Sequence, residues 1–176
     1  MVRRFTLASA LLVTGSVFAS VAIPMTAMAG TASSNLNVSA SVTANCTIST
    51  SALAFGAYDP VNAHASSALD GTGSVETTCT NGASASITLG QGSNADAGST
   101  DAAPLRRLSD GGGNNLSYSL YQDSNRTTVW GNTAGTGVSS TGTGAALNTI
   151  IYGSIPAGQN ASAGAYTDTV TATVTF

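Results

Sequence analysis

Lysine is absent from this 176-residue chain, and charge of either sign is scarce: five arginines, eight acidic residues, 7% charged overall. Arg3 and Arg4 fall in an N-terminal segment read below as a removable leader. That leaves Arg106, Arg107 and Arg126 against eight carboxylates, a formal balance of −5. Nucleic-acid binding needs clustered cations that displace counterions from phosphates, so that class is excluded. Structural zinc needs four Cys or His ligands, and the chain offers two cysteines and one histidine, so no metal and no cofactor is expected. No stretch sustains an amphipathic helical period over three turns. Beyond the leader, no apolar run approaches the roughly 18 residues that cross a bilayer as a helix, so stable membrane insertion is not expected. A surface with so few charges has to be built from Thr, Ser, Asn, Gly and Ala, which suits an exposed, assembled polymer.

What is present begins with residues 1–29. Arg3 and Arg4 precede an apolar run from Phe5 to about Val21, and Ala27-Met28-Ala29 supplies a small-x-small cleavage pattern, the signature of a secretory signal. The residues after Arg3-Arg4 fit the twin-arginine pattern poorly, which favours export as an unfolded chain. Cleavage leaves 147 residues, enough for one domain with a substantial core. Export puts Cys46 and Cys79 in an oxidising compartment, where an even pair reads as a disulfide. Closing a loop of about 34 residues contributes about 3.8 kcal/mol in the chain-entropy model.

Glycine, Asn-Gly and Asp-Gly signals punctuate the rest at short intervals, so the fold is read as all-β. Candidate strands cover residues 43–49, 52–57, 72–80, 84–90, 104–109, 115–122, 126–131, 146–155 and 165–176. Asn81-Gly82 suits a tight hairpin between the Cys79 strand and Ile87–Leu89, and residues 133–144 read as a polar loop. Short alternating strands with one inter-strand cystine favour an immunoglobulin-like sandwich. The last strand alternates most clearly: Tyr166, Val170, Ala172, Val174 and Phe176 share one face and Thr167, Thr169, Thr171, Thr173 and Thr175 the other. Asp168 falls on the apolar side, as a solvated strand entry. Leu36, Val38, Ala40, Val42 and Ala44 repeat the pattern just after the leader, interleaved with Asn37, Ser39, Ser41 and Thr43.

Several blocks resemble a known family. They are Leu53-Ala54-Phe55-Gly56-Ala57-Tyr58-Asp59-Pro60, Thr78-Cys79-Thr80-Asn81-Gly82, and Leu116-Ser117-Tyr118-Ser119-Leu120-Tyr121 leading through Arg126 to Trp130-Gly131. The closing stretch adds Tyr152-Gly153-Ser154-Ile155-Pro156-Ala157-Gly158-Gln159, then Gly164-Ala165-Tyr166-Thr167-Asp168 and the threonine ladder. Together these resemble the spore coat protein U domain family, which includes subunits of archaic chaperone-usher pili. The resemblance implies a pilin domain over residues 44–176: an incomplete immunoglobulin-like sandwich, completed by a donor strand from a neighbouring subunit. A periplasmic chaperone would fill the groove first. At an outer-membrane usher, the N-terminal extension of the next pilin subunit, residues 30–43 here, would displace it by β-strand addition. The product would be a cell-surface pilus reached through the periplasm, supporting adhesion and biofilm formation.

On this reading Leu36, Val38, Ala40 and Val42 are the donor residues, and Tyr166, Val170, Ala172, Val174 and Phe176 the acceptor groove. A one-residue slip would turn Asn37, Ser39 and Ser41 inward, so register is strongly enforced. No enzyme is expected. His64 reads as a surface histidine, and Asp59 with Asp168, or Asp96 with Asp101, lacks any context for paired-carboxylate chemistry. Tyr118, Leu120, Trp130 and Tyr152 read as core or sheet-face residues rather than a sugar-stacking platform. Asn45-Cys46-Thr47 and Asn115-Leu116-Ser117 match the glycosylation acceptor but recur by accident in such chains. Two rivals follow from pattern: a monomeric secreted coat or matrix sandwich that fills its own groove, and a small outer-membrane β-barrel.

Overall fold

The structure is a computed structural model in which residues 27–176 are described. The charged and apolar parts of the predicted leader, up to residue 26, lie outside the described residues. Residues 27–40, the described part of a unit separate from the rest, form no strand and are exposed throughout.

Residues 41–176 form a compact unit whose strands fall into two antiparallel sheets. One sheet has the order β1-β2-β7-β5-β4: β1 (Cys46–Ser51), β2 (Leu69–Cys79), β7 (Ala146–Ile155), β5 (Asn115–Tyr121) and β4 (Arg106–Ser109). The other has the order β6-β3-β8: β6 (Val138–Thr141), β3 (Ser84–Leu89) and β8 (Ala172–Thr175). The strands therefore build a two-sheet sandwich, not the single closed sheet of a membrane barrel. Among the described residues no helix is long and apolar enough to cross a membrane.

Period-two alternation sets which residues meet between the sheets. Val75 from β2, Ile87 and Leu89 from β3, Leu116, Tyr118 and Leu120 from β5, and Ile151 and Ile155 from β7 are all buried around Trp130, which is 0% exposed. The Trp130 indole N–H donates to the Ile87 carbonyl at 2.9 Å, so the one polar atom of the central side chain is satisfied. Tyr118, Leu120 and Trp130 are thus core. Tyr152 has the opposite parity and sits beside its register partner Tyr121.

The ladders depart from the expected strands in five places, the first being the expected last strand 165–176, of which only β8 (Ala172–Thr175) and a bridge from Thr167 to Ser109 are ladder, the rest running alongside by single backbone bonds. Residues 52–57 leave the ladder: after Ser51 the chain crosses toward the inner side of β2 and β7, where Gly73 and Gly153 leave room. A Cβ on Gly73 would come within 2.9 Å of the Leu53 Cβ, and one on Gly153 within 2.8 Å of both Leu53 and Phe55. Residues 126–131 form no full strand, because the chain turns at 123–126, where the Asp123 carboxylate accepts from the Thr127 and Thr128 amides and Arg126 takes φ 56°. Only the bridge from Val129 to Tyr121 remains of a ladder there. Residues 133–144 are not all loop, since a 3-10 turn at Ala134–Thr136 is followed by β6. Asn81-Gly82 does turn tightly, the Ala83 amide donating to the Thr80 carbonyl at 3.0 Å with Gly82 at φ 80°, but it makes no hairpin. β2 pairs with β1 and β7, and β3 with β6 and β8, so this turn carries the chain from one sheet to the other.

Candidate functional site

The last strand has a neighbour on one side only. In an antiparallel ladder alternate residues send both backbone groups to the same side. Thr167 exchanges both bonds with Ser109 at 2.9 Å, Thr169 accepts from Ser93 at 3.1 Å, Thr171 accepts from Gly90 at 2.8 Å, and β8 continues along β3. The threonines thus face β4, the 90–93 loop and β3. The intervening residues, Asp168, Val170, Ala172 and Val174, direct their amides and carbonyls to the opposite, unpaired edge.

That edge borders a groove between the sheets. One wall is the last strand, and the other is the 52–58 segment that left β1. The larger part of the groove, about 930 Å³, runs between Phe55, Tyr58 and Tyr166 over a floor of Leu108, Leu116 and Ile155. A smaller part of about 370 Å³ continues between Leu53 and Val170 over Leu89, Leu120 and Ile151. Tyr58 is fixed by donating its hydroxyl to the Pro156 carbonyl at 2.9 Å and accepting from the Gln159 amide at 3.0 Å. His64 stacks on Tyr58 and accepts from the Asp59 amide through Nδ1 at 2.9 Å. The Asp59 carboxylate takes the Val61 and Asn62 amides, which hold its pKa below the usual value.

Of the residues expected to form the acceptor, Tyr166, Val170 and Ala172 line the groove, and Val174 packs further along against the core. Phe176 lies apart: it follows the last ladder residue, is 54% exposed, and borders a shallow depression with Ser84, Ser86 and Thr175. The opposite wall, Leu53, Phe55 and Tyr58, was not read from sequence as part of the site. Its signal was the alternation of Leu53 and Phe55 together with the glycine pair at 71 and 73 that accommodates them. Leu36 and Val42, expected as donor residues, are 86% and 85% exposed, and Val38 and Ala40 are also exposed.

Asp168 is not a solvated strand entry. Its Oδ1 accepts from the Ser93 amide at 2.9 Å, the Asn94 amide at 3.2 Å and Asn94 Nδ2 at 3.1 Å, and its Oδ2 accepts from the Tyr118 hydroxyl at 2.7 Å. Burial and that hydrogen bond push the Tyr118 hydroxyl's pKa far up. Arg106, 1% exposed, forks onto the carbonyls of Gly90, Leu89 and Trp130, each at 2.8 Å. Burial lowers its pKa to about 10, against the opposing pull of Tyr118 and Asp168.

The cystine lies at the other end of the molecule's logic. Cys46 and Cys79 are register partners on β1 and β2 and are disulfide-bonded, with Cα atoms 4.1 Å apart. Among the described residues there is no group of three or more His, Cys, Asp or Glu able to hold a metal.

The fold defines the class: a two-sheet β-sandwich with an apolar groove beside an edge strand. The Spore Coat Protein U domain model matches residues 32–173, and the chain belongs to that family of structural, non-enzymatic proteins. It is similar to Protein U of Myxococcus xanthus, 46% identical over 157 residues that cover 85% of this chain and 88% of that protein. Among solved structures it resembles a chain of the CsuC–CsuE chaperone–tip adhesion subunit pre-assembly complex from the archaic chaperone-usher Csu pili of Acinetobacter baumannii. The TM-score is 0.53 at 19% identity, over 77% of this chain. This chain spans 40% of the length of that one, and the likeness concerns the fold.

Proposed function

We propose that this chain is a structural subunit of a surface pilus, built by donor-strand complementation, in which residues 30–43 of one copy fill the groove of another. The observation that carries the reading is the pairing of an open apolar groove beside an unpaired strand edge with an exposed extension of matching alternation. A ten-residue donor, 35–44, spans about 33 Å at about 3.3 Å per residue, a strand's length. Burying Leu36, Val38 and Val42 contributes about 1.5–3 kcal/mol each, or about 5–9 kcal/mol together, before ordering costs. An exposed edge of this kind is an aggregation hazard, so a periplasmic chaperone is the expected first occupant, with an outer-membrane usher exchanging it for the next subunit. The fold likeness to a chain of a chaperone–subunit complex supports a chaperone and pilin subunits as partners. Donation from one copy into the next is a heterologous contact, and such contacts propagate filaments when the rotation does not close. Adhesion and biofilm formation follow as the use of such a fibre.

The test is to produce the chain from Gly30 onward, with and without a candidate chaperone, and follow it by size-exclusion chromatography. The expected species are a one-to-one complex with chaperone and a ladder of polymers without it. A stable, soluble monomer in both cases overturns the reading. The family's description as a coat domain favours a second reading, a coat sandwich whose own extension fills its groove. Deleting residues 30–43 separates them, since a self-filled sandwich loses its fold whereas a pilus subunit still binds chaperone and fails to polymerise.

A further inference from the structure

The groove is not apolar along its whole length. Four residues border both its larger and smaller parts: Leu53, Phe55, Leu108 and Asp168, and Asp168 alone is polar. Its four accepted hydrogen bonds come from the 93–94 loop and from Tyr118, so the carboxylate cannot swing aside when a strand enters. Oδ2 has the Tyr118 hydroxyl as its one partner. A branched apolar side chain seated over it would strip water from a carboxylate oxygen and offer nothing in return. Nor is there spare room below, because Tyr118 and Arg106 behind it are already buried.

The extension has a matching order. Leu36 and Val38 are large, Ala40 is a single methyl, and Val42 is large again. We propose that Asp168 is the register pin of the groove: the entering segment of a second copy seats Ala40 over Asp168, with Leu36 and Val38 in the apolar cleft on one side and Val42 in the cleft on the other. This rests on the donor-strand reading above. It holds for either strand direction, because Ala40 sits between its apolar neighbours. It also supplies what alternation alone does not. Period two forbids a slip of one residue but permits a slip of two, which would put Val38 or Val42 over the carboxylate.

The experiment uses the chain from Gly30 onward. Single cysteines replace Asn37, Ser39, Ser41 or Thr43 in one preparation, and Thr167 or Thr169, which flank Asp168 on the outer face, in another. The native cysteines are bonded to each other. Residues opposed across an antiparallel ladder sit about 4.5–5.5 Å apart at Cα, within disulfide range. The two preparations are mixed during assembly and inter-copy disulfides are read on a non-reducing gel. Links from positions 39 and 41 are expected to dominate. Dominance of 37 or 43 overturns the register while leaving donor-strand exchange standing, and no link from any position overturns both. In a second arm, Ala40→Leu, at an exposed position, is expected to slow assembly about tenfold through overpacking against the pinned carboxylate. Assembly at the native rate would overturn the pin even if the Leu36→Ser control abolishes polymers.

Discussion

The two sides of the sandwich are held by different means. On the β1-β2-β7 side the chain is bound by backbone ladders: β2 and β7 stay in register from Leu69 opposite Ile155 to Thr78 opposite Ala146, and a cystine ties β1 to β2. Around the groove, side chains do what ladders do elsewhere. Arg106 gathers three carbonyls, Arg107 takes those of Asn94 and Ala95 and pairs with Asp96 at 2.9 Å, and Asp168 fastens the 93–94 loop to the last strand. Past Pro156, which has no amide to offer β5, the Gln159 side-chain amide exchanges both bonds with the Ser117 backbone at 2.8 Å, as a strand residue would. The groove side thus keeps its edges in place with discrete polar contacts, and Arg106 and Arg107 are spent there, whereas Arg126 pairs with Asp70 of β2 at 3.2 Å.

The comparison can be broken most severely at Arg106. Arg106→Ala removes three hydrogen bonds from buried or partly buried carbonyls and leaves a void under Tyr118. Each orphaned acceptor costs about 1–3 kcal/mol, so a loss of about 4 kcal/mol or more is expected, seen as a fall in the urea midpoint. Lysine should not rescue it, since one ammonium cannot reproduce a planar fork on three carbonyls. A loss under about 1 kcal/mol would mean that the groove side does not depend on these contacts. Next in size is the cystine. Replacing Cys46 and Cys79 together by alanine is expected to cost about 2–4 kcal/mol. Because the ladder of β1 on β2 survives without the bond, the groove should still accept a strand. Chaperone capture of the double variant, assayed by co-purification, is expected to persist, and its loss would show that the two sides are coupled.

Most of the scaffold was legible from sequence, because period-two alternation is a local signal. β2, β3, β5 and β7, the buried Tyr118, Leu120 and Trp130, and the half-buried alternation of Tyr166 through Val174 all follow from it. What was hidden depends on distant pairing. Leu53 and Phe55 alternate like a strand, yet they leave the ladder because Gly73 and Gly153, far along the chain, open a space that no local pattern reveals. Residues 138–141, Ser and Thr after Val138, carry almost no apolar signal and form a strand because the edge of β3 is there to be paired. Asn81-Gly82 announces a turn but not which sheet the chain enters next. Asp168 was placed on the correct face by parity, while its four partners, from Ser93, Asn94 and Tyr118, lie too far off in sequence to be foreseen.

The smallest of the expected effects joins the two sides. Gly153 lies on β7, in the middle of the laddered sheet, and pairs with Gly71 of β2. Alanine there leaves both backbone ladders intact, yet its Cβ would stand 2.8 Å from the ends of Leu53 and Phe55. Those tips can shift by a few tenths of an ångström, so Gly153→Ala should cost about 1–3 kcal/mol, nearer the low end. Where the shift goes is the informative part. The laddered sheet cannot yield, so Leu53 and Phe55 must move toward the last strand and narrow the groove where its two parts meet. Assembly should therefore slow by more than the change in the urea midpoint accounts for. If stability and assembly fall in proportion, the wall formed by residues 52–58 is a passive cover over the core and not a surface shaped for an incoming strand.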